Sequence, residues 1–225
     1  MARAFLLAVL PVALSGCIAS QRLDFADEAP RAEIDPGFTA MYGSIQDGPF
    51  LIPAVDLRRT DPQFYRQIVS LPANIPNEPG TIVVDPADRF LYLVTENGQA
   101  IRYGIGVGRQ GFAWNGVASV KSKQEWPKWF PPAEMVTRDP KAAPWARGMP
   151  GGLDNPLGAR ALYLWQGDKD TLYRIHGTNE PWSIGKAVSS GCIRMFNQDI
   201  IDLYGRAPEG TKVIVLPAGE PPPVS

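Results

Sequence analysis

Two residues of this chain have the types and spacing for covalent catalysis. The single histidine, His176, stands sixteen residues before Cys192, one of two cysteines. A thiol needs a base to become a nucleophile at neutral pH, and imidazole is the side chain best suited to that role. With one imidazole in the chain, any Cys/His chemistry must use this pair. The other cysteine, Cys17, closes an N-terminal apolar run and does not compete.

The segment Ser189-Ser190-Gly191-Cys192 reads as a small-residue turn that exposes sulfur and brings backbone N–H groups close. Such donors can hold a tetrahedral oxyanion, a contribution of about 3–4 kcal/mol each in acyl-transfer enzymes. The pair is expected to form a thiolate–imidazolium unit if two strand ends bring it together. Arg194 suits bidentate grip of a carboxylate, and equally a structural salt bridge. Asn179 and Trp182 either line an acyl pocket or pack within their loop.

The elements that must position these residues read as short strands. Strands are predicted over 81–85, 90–94 and 100–107 as an antiparallel meander, with Asn97-Gly98 as a hairpin turn. Further strands are predicted over 117–123, 159–165, 172–175 and 211–216, with His176 directly off the end of the sixth. A helix is predicted over 61–69, with Asp61 as N-cap and Pro62 at its first position. Another is predicted over 198–204, capped by Asn197. Tyr163 and Tyr173 read as mostly core. The glycines of Gly104-Ile105-Gly106-Val107-Gly108 lack a following helical pattern, so close strand approach or a bulge accounts for them better than phosphate binding. The aromatic and proline residues of 126–132 either wall a ligand site or pack at a sheet edge. The long loop over 133–155 has the length of a lid or binding loop.

Residues 1–16 have the layout of a signal peptide, with Arg3 before an apolar run too short to span a bilayer permanently. Leu14-Ser15-Gly16-Cys17 resembles the lipobox of bacterial lipoproteins, which implies cleavage before Cys17 and a lipid on that residue. Ile18 after the cysteine points, by the same resemblance, to the outer membrane of a Gram-negative bacterium. Export to the periplasm leaves Cys192 without a disulfide partner, either as an apolar filler or as a reactive thiol. Residues 17–79 read as a polar, turn-rich tether or extension with a short helix, 80–217 as the catalytic domain and 218–225 as a loose tail. The net charge is −1 and no basic stripe appears, which argues against nucleic acid as a partner, and glycine (22) with proline (23) makes up about a fifth of the chain, favouring strands, turns and long loops.

His176-Gly177-Thr178, followed by Ser189-Ser190-Gly191-Cys192-Ile193-Arg194, resembles the signature of the YkuD-type L,D-transpeptidases (the ErfK/YbiS/YcfS/YnhG group). The resemblance runs from about Gly80 to Leu216 and takes in the segments 82–85, 103–108 and 155–158. Ser190 stands where many members carry a second histidine. The resemblance implies a mainly β, YkuD-like sandwich or barrel-like mixed sheet, with a short helix after the cysteine and long loops. It implies Cys192 as nucleophile, His176 as base, the Gly177 carbonyl as the group that orients it, and the Gly191 and Cys192 N–H groups as part of the oxyanion hole. Ser190, Arg194, Asn179 and Trp182 become candidate substrate contacts. The implied partners are peptidoglycan tetrapeptide stems as donor and acceptor, the membrane through the lipid, and an envelope protein as a further acceptor.

The implied reaction expels D-alanine through a thioester and forms 3→3 cross-links or attaches a protein to the wall. Acylation by carbapenems also follows from the resemblance. No metal or cofactor is required, and one histidine argues against a zinc site. An L,D-carboxypeptidase or endopeptidase of the same fold, and a non-catalytic peptidoglycan-binding lipoprotein, remain as alternatives.

Overall fold

The structure, a computed structural model, describes residues 34–108, 114–189 and 191–217. The signal segment, Cys17, Ser190 and the tail from 218 lie outside the described residues. In chain order the elements are α1 (Pro36–Met41), β1 (Ile45–Asp47), β2 (Phe50–Ile52), β3 (Gln67–Ser70), β4 (Ile82–Asp85), β5 (Phe90–Val94), β6 (Gln99–Gly104), β7 (Val107–Gly108), β8 (Gly116–Glu125), α2 (Ala133–Arg138), β9 (Arg160–Gln166), β10 (Lys169–His176), β11 (Ala187–Ser189), β12 (Ile193–Arg194), α3 (Asn197–Arg206) and β13 (Lys212–Val215). Among the described residues no helix is long and apolar enough to cross a membrane.

Nine strands form one mixed sheet in the order β12-β10-β9-β8-β13-β4-β5-β6-β3, and β11-β7 and β1-β2 form two-stranded ribbons. The fold is therefore mainly β with few helices. Laid flat, nine strands would span roughly 40 Å. Yet Ile82 of β4, Leu162 of β9, Ile175 of β10 and Ile193 of β12 share one core cluster with Ile200 and Leu203 of α3. The sheet must curl around that cluster, which brings its distant strands together.

The unbroken apolar runs of β4 and β5 have a simple cause. Ile82, Val84, Leu91 and Leu93 face the α3 side, while Val83, Phe90, Tyr92 and Val94 face a second cluster with Tyr42, Phe64, Tyr65 and Phe196. Strands buried on both faces lose polar alternation. Residues 34–79, read from the sequence as part of a tether or extension, supply that second layer. Tyr42 donates from its hydroxyl to Asp199 in α3 at 3.0 Å, and Gln198 donates to the carbonyls of Gly43 and Pro53 at 3.1 and 3.0 Å.

Three sequence expectations need correction. The helix over 61–69 is only a 3-10 turn over Pro62–Phe64, with Asp61 capping it, and the chain then extends into β3. Pairing with β6 outweighs local helix preference there. Asn197 is the first residue of α3 rather than its cap; Phe196 holds the cap position and no side chain caps it. The 133–155 loop is not without structure, since it contains α2 and a 3-10 turn over Ala143–Trp145.

Candidate active site

His176 ends β10, and Cys192 immediately precedes β12. These two strands run parallel and adjacent, with Ile175 opposite Ile193 and His176 opposite Arg194. The register therefore sets the histidine and the thiol on neighbouring strand ends, and both line one cavity of about 1240 Å³. The other side of β12 is clamped by Gly106, which exchanges two backbone hydrogen bonds of 2.9 Å with Arg194. A Cβ at Gly106 would lie 2.7 Å from the Ser183 carbonyl oxygen, so only glycine permits this approach. Gly106 belongs to the run that the sequence assigned to close strand contact. Gly191 has a φ of +130°, a conformation that favours glycine, and turns the chain into Cys192.

His176 is 4% exposed, and its Nδ1 lies 2.5 Å from the Gly177 carbonyl oxygen. A carbonyl can only accept, so Nδ1 carries the proton and Nε2 is left with a lone pair, the form a general base requires. Burial pulls the ring down to about 4, the Arg194 and Arg174 charges add to that pull, and the Gly177 bond opposes it. Burial pushes the Cys192 thiol up, while an N–H from the Arg174 backbone and the Arg174 and Arg194 charges work against the rise. Both net shifts oppose charge separation. Burial of both groups thus disfavours the thiolate–imidazolium unit expected from the sequence. The physical reason is desolvation of both groups in the buried strand ends.

The other candidates divide. Arg194 lines the cavity and its guanidinium donates to Glu180 at 2.7 Å, so an ion pair already engages it. Asn179 lines the cavity and donates to the Asp154 carbonyl at 2.8 Å. Trp182 is not brought to the cavity wall; it is 45% exposed, with Lys186 over its ring. Tyr163, expected in the core, instead lines the cavity beneath the Arg174 guanidinium and donates to Gln124. Tyr173 is half-buried and stacks on Trp114, and burial pushes its hydroxyl up. The second wall comes from 128–157, including Trp129, Phe130, Pro132 and Met135, so part of the aromatic run does face the cavity. Trp126 does not; it packs under Phe50 and donates to Asp47, which Arg160 grips through both oxygens.

Asn197 carried no chemical signal in the sequence beyond its expected cap. Its amide donates to the Thr178 carbonyl at 2.9 Å and accepts from the Ala159 N–H at 3.0 Å, tying the segment after His176 to the end of the long loop. Asn155, fully buried, donates to the carbonyls of Pro127 and Pro150 and pins the base of that loop. Both roles join segments distant in sequence, so no local pattern announces them. Among the described residues no cluster of three or more His, Cys, Asp or Glu is placed to hold a metal ion.

The family model of the L,D-transpeptidase catalytic domain (YkuD) matches residues 79–215. The probable L,D-transpeptidase ErfK/SrfK of Salmonella typhimurium is 37% identical over 139 residues, covering 60% of this chain and 43% of that protein. The probable L,D-transpeptidase YbiS of Escherichia coli is 38% identical over 136 residues, covering 59% and 43%. The matched region thus spans less than half the length of these curated relatives. A crystal structure of a probable carnitine operon oxidoreductase caia from Brucella melitensis is 51% identical and covers 72% of this chain and 99% of that one, with a TM-score of 0.48. An L,D-transpeptidase from Mycobacterium smegmatis is 19% identical over 61% of this chain and 58% of that one, with a TM-score of 0.42.

Proposed function

Because this chain belongs to the L,D-transpeptidase catalytic domain (YkuD) family, we propose that it transfers the acyl group of a peptidoglycan tetrapeptide stem through a Cys192 thioester. The observation that carries this reading is the parallel pairing of β10 with β12, which sets His176 beside the thiol, with its Nδ1–H committed to Gly177.

Because burial disfavours charge on either partner, the first step is a coupled one. Sγ of Cys192 attacks the carbonyl carbon of the third residue as its proton passes to Nε2 of His176. Burial opposes protonation of this imidazole, so the transfer depends on negative charge developing at the carbonyl oxygen. The N–H groups of Gly191 and Cys192 hold that oxyanion. The tetrahedral intermediate collapses, the C–N bond breaks, and the His176 proton goes to the departing D-alanine amine. An amine acceptor then attacks the thioester, loses its proton to His176, and regenerates the thiol. A stem amine as acceptor gives a 3→3 cross-link; water gives a tripeptide. In this reading Arg194 meets a substrate carboxylate, Asn179 and Ser190 contact the stem, and Trp182 contributes from outside the cavity wall.

The sequence supports the rest of the proposal: residues 1–16 direct export, Cys17 carries a lipid, and residues 80–217 act at the periplasmic face of the envelope, at the outer membrane.

The test is incubation with disaccharide-tetrapeptide and mass spectrometry of the products, beside Cys192→Ala and His176→Ala. Dimer formation with loss of D-alanine, absent in Cys192→Ala and reduced about 10²–10⁴-fold in His176→Ala, is the expected result. Tripeptide alone assigns carboxypeptidase activity, and no Cys192-dependent product overturns the enzymatic reading.

A further inference from the structure

The cavity wall supplied by the long loop carries charge that the catalytic pair does not use. Lys128, Arg138 and Lys141 line the same cavity as Cys192. The strand-side cations there are already paired: Arg174 with both oxygens of Asp170 at 2.8 Å, Arg194 with Glu180. Among the described residues no carboxylate forms an ion pair with Lys128, Arg138 or Lys141. Asp139 stands beside them with one oxygen on the Lys141 backbone N–H at 2.9 Å, and Asp154 also lines the cavity. Three cations against Asp139 and Asp154 leave the loop's side of the cavity with one net positive charge.

Lys128 is the cation whose position is built. Trp129 and Met149 exchange backbone hydrogen bonds of 2.9 and 2.7 Å, which makes a two-stranded arm. The Lys128 stem crosses this arm at Gly148, where an added Cβ would collide with Lys128 Cε. Its ammonium then lies 5.1 Å from the Phe130 ring centroid. Asn155 holds the base of the arm through Pro127 and Pro150.

We propose that Lys128, with Arg138 and Lys141 completing the patch, reads a carboxylate on the acyl acceptor and selects amines that lie next to one. This rests on the thioester reading above. Once the donor occupies Cys192 and the strand-side residues, the arm is the wall left to the acceptor. A net positive wall repels an isolated ammonium, such as a lysine side chain. An amine beside a carboxylate is attracted through that carboxylate, and the neighbouring cations shift its ammonium toward the nucleophilic free amine. The diaminopimelate end of a second stem peptide has this chemistry, so the acceptor is another stem.

The test uses the full chain with a tetrapeptide donor and two acceptors that differ only in the carboxylate, D-methionine and D-methioninamide. Wild type is expected to favour D-methionine about tenfold. Lys128→Gln should remove most of that preference, Lys128→Arg should keep it, and D-alanine release from the donor without acceptor should be unchanged in both. An equal preference in wild type and Lys128→Gln overturns the proposal. So does a matching loss of donor acylation, which places Lys128 on the donor side, or a preference for Nα-acetyl-lysine over D-methionine. A wild type that releases no D-alanine overturns the thioester reading instead, a distinct result.

Discussion

His176 and Arg194 face each other across the parallel strands β10 and β12. The same register that sets the imidazole beside the Cys192 turn also sets a guanidinium near it. That charge helps to pull the ring down to about 4, while burial is the larger cause.

A base with a depressed pKa keeps its lone pair into acid solution. The acid limb of kcat/KM for the tetrapeptide is therefore expected near pH 4, well below the ordinary imidazole value of about 6.5. A pH–rate profile of D-alanine release, followed by mass spectrometry, measures it. An acid limb at pH 6 or above would show that the ring is not held neutral by its surroundings.

Glu180 occupies the Arg194 guanidinium at 2.7 Å, with its own side chain 42% exposed. A substrate carboxylate on Arg194 must displace it. An ion pair this exposed is worth under about 1 kcal/mol, so Glu180→Gln is expected to leave Tm nearly unchanged and to lower KM for the donor several-fold. Arg194→Ala should raise KM instead. If Glu180→Gln raises KM as well, the pair serves only to hold the loop.

Asn197 bonds Thr178 and Ala159, both buried. Asn197→Ala leaves a buried carbonyl and a buried N–H without partners, at about 1–3 kcal/mol each. Urea denaturation should register a loss of about 2–6 kcal/mol. Activity should fall further than the unfolded fraction explains, because the segment that orients His176 is loosened. Unchanged stability would mean the two backbone groups find other partners.

Asp199 is fully buried beneath Tyr42, and burial pushes its carboxyl up to about 7, the Arg66 charge and the Tyr42 hydroxyl opposing. A folded pKa above the unfolded value of about 3.9 gives stability that is full below that value and is lost as pH rises toward 7. Asp199→Asn removes the dependence. The difference in Tm between variant and wild type should favour the variant by at least about 4 °C more at pH 8 than at pH 5. A difference independent of pH would show that the carboxylate is ionised throughout.

The buried strands were legible because their pattern is local. Ile82-Val83-Val84 and Phe90–Val94 advertise burial by composition, and Asn97 and Gly98 adopt the left-handed conformations that their hairpin turn needs. The strand β3 was not legible, since Asp61-Pro62 gives a true turn signal whose continuation depends on β6. Tyr163 looked like core because a sequence shows alternation but not which face meets a cavity.

The chemistry available is readable from the residues alone: one imidazole, one thiol after a Gly-containing turn, and the motif that joins them to a family. So is the fact that Gly177 offers His176 only a carbonyl, since glycine has no side chain. Folding adds the desolvation that disfavours charge on the pair, the engagement of Arg194 by Glu180, the clamp at Asn197 and the cationic wall of the cavity. These depend on burial and on contacts between segments far apart in the chain, and desolvation and long-range pairing exist only once the chain has folded.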